Sequence, residues 1–138
     1  MNDTAPDIRT VVIERDLAHP PERVWRALTQ PALMAEWLMK SDFAPEVGHG
    51  FTFEGDWGAV DGRVLEVETG RRLRYTWEAM GLESVVTWTL TETEGGTRLR
   101  MEQTGFRPDQ TQAFHGARYG WTNFLDQLQT LLDTETPE

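Results

Sequence analysis

The chain has no cysteine among its 138 residues. Disulfides, thiolate nucleophiles and cysteine metal sites are excluded together, and a reducing, cytoplasmic setting is the simplest expectation. No apolar run approaches the roughly 18 residues of a membrane span, and the opening MNDTAPD carries no signal-peptide core. Excess positive charge is missing too: 13 Lys and Arg stand against 23 Asp and Glu, a formal net charge of −10. Phosphate backbones and anionic membranes are bound through clustered Lys and Arg, so no nucleic acid and no membrane insertion is expected. The only histidines, His19, His49 and His115, show neither H-x₃-H nor HExxH spacing, so no metal and no cofactor is expected. The only serines, Ser41 and Ser84, lie outside any G-x-S-x-G elbow, and no catalytic residue stands out. GHGFTFEG opens no helix and is not a phosphate loop. The carboxylates fall at outward positions or turns, as a solvated shell.

What is present in excess is tryptophan, with six residues. Trp57, Trp77, Trp88 and Trp121 fall in or beside segments patterned like core faces. Indoles are bulky and carry an N–H that wants a partner, so this many implies an unusually aromatic core or the wall of a cavity for a flat apolar ligand.

Periodicity divides the rest. Val11, Ile13 and Leu17 share one face of a first strand from Arg9 to Leu17. HPPERVWRALT reads as a short helix, with prolines at its start, Glu22 in the first turn and an apolar stripe of Val24, Trp25 and Leu28. Pro31 restarts the chain in a second short helix, PALMAEWLM, where Leu33, Met34, Trp37 and Leu38 recur at helical spacing. From Phe43 to Phe106 the period becomes two. Phe51 and Phe53 share a face, as do Leu73, Tyr75 and Trp77, then Val86, Trp88 and Leu90, then Leu99, Met101 and Gln103. GRVLEVE is a strand without clean alternation. VGHG, WGAVDG, ETGR, AMGL and EGG mark the turns. Antiparallel strands with one wet and one covered face follow from this alternation. The cover is a final helix from about Pro108 to Leu132, striped by Phe114, Ala117, Trp121, Leu125, Leu128 and Leu132.

The expected architecture is α+β. It is a helix-grip fold in which a curved antiparallel sheet of about six to seven strands wraps a long C-terminal helix, with two short helices after the first strand. It forms a single domain over residues 8–132, with polar tails at 1–7 and 133–138. Trp121 is expected to meet Leu73, Trp88 or Met101 from the long helix.

Four segments in this order carry a resemblance: PPERVWRALT followed by Pro31 and AEWL, then DGRVLEVETGRRLRYTW, then GGTRLRMEQTGF, and finally Gly120-Trp121. Together they resemble the SRPBCC or START-like superfamily, which shares the fold of the birch-pollen allergen. Within it the chain is most similar to the bacterial proteins related to the activator of heat-shock protein 90 ATPase. The resemblance implies a space between sheet and helix where such proteins bind sterols, lipids, polyketides or plant hormones. It implies cyclase or dehydratase activity for some members and a chaperone partner for others. One departure is Gln103, where the strand before TGF often carries a His.

The expected cavity lining is Trp37, Phe53, Trp57, Tyr75, Trp77, Trp88, Met101, Gln103, Phe114, Arg118, Trp121 and Leu125, a set that reads equally as core. Arg118 follows Phe114 by four and precedes Trp121 by three, which places it on or at the edge of the apolar face. There it would snorkel, form a salt bridge to a sheet carboxylate, or anchor the acid group of an amphipathic ligand. The leading expectation is a protein that binds a small apolar or amphipathic molecule, as a monomer or homodimer. The alternatives are an enzyme of the cyclase or aromatase kind, using Tyr75, Arg118 or an inward carboxylate, and a chaperone-interaction or stress-response module.

Overall fold

The computed structural model describes residues 9–56 and 58–134. Strand β1 (Arg9–Leu17) leads into α1 (Pro21–Thr29) and α2 (Pro31–Trp37). Strands β2 (Lys40–Ser41), β3 (Gly50–Gly55), β4 (Gly58–Glu68), β5 (Arg72–Ala79), β6 (Leu82–Thr93) and β7 (Gly96–Phe106) follow, and α3 (Thr111–Thr134) ends the described chain. The strands form one antiparallel sheet in the order β1-β7-β6-β5-β4-β3-β2. This is the helix-grip arrangement expected. Helix α3 begins at Thr111 rather than Pro108, and it continues through Asp133 and Thr134, which the sequence pattern assigned to a tail.

Period-two faces become register. Leu73 lies opposite Trp88, Tyr75 opposite Val86, and Trp77 opposite Ser84. In the next pair Trp88 meets Met101 and Val86 meets Gln103, so these residues all face the layer under α3. The ragged pattern of GRVLEVE has a local cause. A bulge between Val64 and Glu66 gives the strand an extra residue, so Val64 is buried while Leu65 turns outward and is exposed.

The two short helices close one end. The Ala27 carbonyl, in the last turn of α1, has no i+4 partner, because residue 31 is a proline and has no N–H. The Trp37 indole N–H fills that place, donating to the Ala27 carbonyl at 2.8 Å. One tryptophan thus joins α1 to α2 and has its own polar atom satisfied.

Helix α3 is held most firmly through its C-terminal half. Trp121, Leu125, Leu128 and Leu132 are buried. Arg15, inward-facing on the edge strand β1, pairs with Asp126 at 2.8 Å. The buried Arg23 guanidinium donates to the Leu132 carbonyl at 2.9 Å, a favourable place for a cation beside the last turn of a helix. His19 meets Asp133 at 2.8 Å. None of the ten residues from Thr111 to Gly120 is buried. The layer between sheet and helix is therefore closed at one end and open at the other.

Candidate functional site

A pocket of about 730 Å³ occupies the open end, between the first half of α3 and the β5–β6 hairpin. Trp77, Ala79, Met80 and Leu82 come from the hairpin, Gln103 from β7, and Ala113, Gly116, Ala117, Gly120, Trp121 and Phe124 from the helix. Asp109, Gln110, Thr111 and Gln112 rim the mouth. Small residues on the helix make the space. At Gly116 and Gly120 an added Cβ would meet nothing within 4 Å.

The hairpin tip has an unusual geometry. Ala79 pairs with Leu82, so Met80 and Gly81 alone make the turn, with φ of 53° and 82°. Positive φ at both central residues is the type I′ turn that matches strand twist. Glycine adopts it freely, whereas methionine there is strained by roughly 1 kcal/mol. Met80 nonetheless projects 87% exposed at the pocket mouth. Gln110 links the tip to the start of α3. It accepts from the Arg107 backbone N–H at 2.8 Å and donates to the Gly81 carbonyl at 3.4 Å.

The floor is polar and ordered. Trp121 Nε1 donates to Gln103 Oε1 at 2.7 Å, and Gln103 Nε2 donates to Ser84 Oγ at 2.9 Å. The Ser84 hydroxyl in turn donates to the Trp77 carbonyl at 2.8 Å. Gln103 is 1% exposed, the one amide or carboxylate so deeply placed in the lining among the described residues. Deeper still, Trp88 Nε1 donates to the Tyr75 hydroxyl at 2.9 Å. Burial pushes the Tyr75 phenol well above its ordinary value, against a smaller opposing effect of the Trp88 bond.

Of the expected lining, Trp77, Gln103 and Trp121 are brought together at the pocket. Trp37, Phe53, Tyr75, Trp88, Met101 and Leu125 are buried in the core and do not line it. Four indoles run in file from core to pocket: Trp37 to Trp88 at 5.9 Å between ring centres, Trp88 to Trp121 at 5.6 Å, and Trp121 to Trp77 at 5.0 Å. Trp121 thus meets Trp88 from the helix, as its spacing indicated. Phe114 lies half-buried against Phe106 at 5.6 Å, beneath the Arg9 guanidinium at 5.3 Å. Trp57 falls outside the described residues.

Arg118, expected among the cavity lining from a place on or at the edge of the apolar face, is solvent-exposed and absent from the lining. At 100° per residue it stands about 60° to one side of Trp121, while Ala113, Ala117, Gly120 and Phe124 fall on the other side. It sits on the flank away from the pocket. Tyr75 likewise offers the pocket no hydroxyl, since its ring is enclosed by Phe43, Phe51 and Phe53. Sequence reading missed Ala79, Met80, Leu82, Ala113, Gly116, Gly120 and Phe124. For Ala113, Gly116 and Gly120 the signal was the interruption of the apolar stripe by small residues in the first half of α3.

Comparison with known proteins agrees with this architecture. A protein of Mesorhizobium loti, MLL2253, superposes with a TM-score of 0.90 at 55% identity, covering 93% of this chain and 100% of that one. The Chromobacterium violaceum protein CV1439 gives 0.77 at 30% identity, over 91% of this chain and 98% of its own. DynU16, a protein of the dynemicin biosynthetic locus, gives 0.81 at 27% identity, over 96% of this chain and 49% of its own. No curated protein matches the sequence. Residues 18–133 match the model of the Activator of Hsp90 ATPase homolog 1-like proteins, an SRPBCC-type family, and the chain belongs to that family.

Proposed function

We propose that this chain is a binding protein for a small, largely apolar molecule, held in the pocket between the first half of α3 and the β5–β6 hairpin. The observation that carries the reading is the pocket itself. Its volume of about 730 Å³ lies within the range of small-molecule sites, and two indole-bearing side chains, Trp77 and Trp121, flank it. Aromatic walls suit a flat ligand. Acid–base chemistry has little support here, because Asp109 at the rim is the one ionisable side chain in the lining among the described residues. The similar protein DynU16 lies in the dynemicin biosynthetic locus, a setting that supports a small-molecule ligand for this chain.

Native mass spectrometry of freshly purified protein should reveal a co-purifying small molecule. Gly116→Leu supplies the control, since it adds bulk to the pocket wall where nothing obstructs the first carbon. That variant should lose the bound mass while melting no lower than the parent, because leucine is favoured over glycine in a helix by roughly 1 kcal/mol. A ligand retained by a folded Gly116→Leu would place binding elsewhere and end this reading.

A further inference from the structure

The side-chain amide at the pocket floor carries more information than its apolar walls. An indole N–H only donates, so the group on Gln103 that meets Trp121 is the carbonyl oxygen. The Nε2 group therefore faces Ser84 Oγ, whose own proton is committed to the Trp77 carbonyl. The amide cannot be flipped without breaking two bonds. A primary amide has two N–H donors and two acceptor lone pairs. Trp121 uses one lone pair and Ser84 one N–H, which leaves one donor and one acceptor on a side chain that is 1% exposed and lines the pocket.

Charge is arranged differently. Among the described residues no Lys, Arg or His lines the pocket, and the carboxylate of Asp109 at the rim is itself paired with Arg107 at 3.4 Å. Arg118 lies on the other flank of the helix and is exposed. A ligand carboxylate entering this space would shed its hydration and meet no cation in return. The net charge of −10 opposes its approach as well.

We propose that the pocket selects uncharged ligands whose polar group both donates and accepts, such as an amide, lactam or phenol, and that Gln103 is the residue that recognises this group. The inference rests on the pocket being a binding site, and it reverses the preference for acidic ligands that a cation on the inner helix face would give.

Three probes of one shape test it by calorimetry: 2-naphthamide, 2-naphthoate and 2-methylnaphthalene, each titrated into the wild-type chain at neutral pH. Naphthamide should bind at least about tenfold more tightly than either of the others. In Gln103→Met its advantage over methylnaphthalene should shrink to about twofold or less, with methylnaphthalene binding retained. Naphthoate binding as well as or better than naphthamide overturns the selectivity and leaves the pocket reading standing. An advantage that survives in folded Gln103→Met overturns the role of Gln103. Binding of none of the three, or equal binding in Gly116→Leu, overturns the pocket reading and this inference with it. The wild-type comparison decides the selectivity alone if Gln103→Met, which leaves Trp121 and Ser84 without their partner, does not fold.

Discussion

Tyr75 sits among Phe43, Phe51 and Phe53, with ring centres 5.7, 5.3 and 6.0 Å away, and its hydroxyl accepts from Trp88. Ionising it would put a charge where nothing solvates it, so burial raises its pKa above the ordinary 10.0. The unfolded chain releases this proton above about pH 10, while the native chain keeps it to higher pH. Stability from this residue is therefore complete below that pH and is lost as pH climbs through the folded value. The chain has two tyrosines, and Tyr119 is 74% exposed on α3. In Tyr119→Phe, where Tyr75 is the sole tyrosine, tyrosinate absorbance should rise only together with the loss of tryptophan near-ultraviolet dichroism. Ionisation that completes while the dichroism persists would show that the phenol is accessible to solvent in the native state.

At the scale of elements, alternation made the sheet legible because each inward residue from Leu73 to Gln103 sits on a regular strand. The same logic failed at β4, since a bulge is a backbone event that changes the side-chain period without changing composition. The two-residue strand β2 was too short to carry a period. Helix α3 was legible through its large residues, yet spacing alone left Arg118 undecided. A difference of about 60° around the axis separates a flank from a face, and only the position of the sheet decides between them. The pocket was least legible, because Ala113, Gly116 and Gly120 contribute by having a single methyl group or no side chain at all. Trp121 couples the two levels, since it packs on Trp88 and Trp77 and donates to Gln103. Trp121→Ala should lower stability by about 3–5 kcal/mol in denaturant unfolding, from the lost volume together with the orphaned amide oxygen. A loss below about 1 kcal/mol would mean that α3 is docked by its last turns alone.

Across the whole molecule, packing is graded along one axis. At one end Leu125, Leu128 and Leu132 are buried and Arg15, Arg23 and His19 tie the helix to β1, α1 and the segment between them. At the other end the same helix spans the pocket with two glycines and no buried side chain before Trp121. Local opening should follow this gradient, because stability within a fold tracks buried apolar contact. Each glycine lowers helix stability by roughly 1 kcal/mol relative to alanine, so amides from residue 115 to 120 should exchange on the order of thirtyfold faster than those from 124 to 131. Hydrogen exchange read residue by residue checks this, and a ligand in the pocket should slow exchange chiefly in the faster group. Equal protection along α3 in the free protein would mean that the helix opens only with the entire sheet. The pocket would then be a rigid cleft, and ligand would reach it through the mouth at Met80 and Gln110 without loosening the helix.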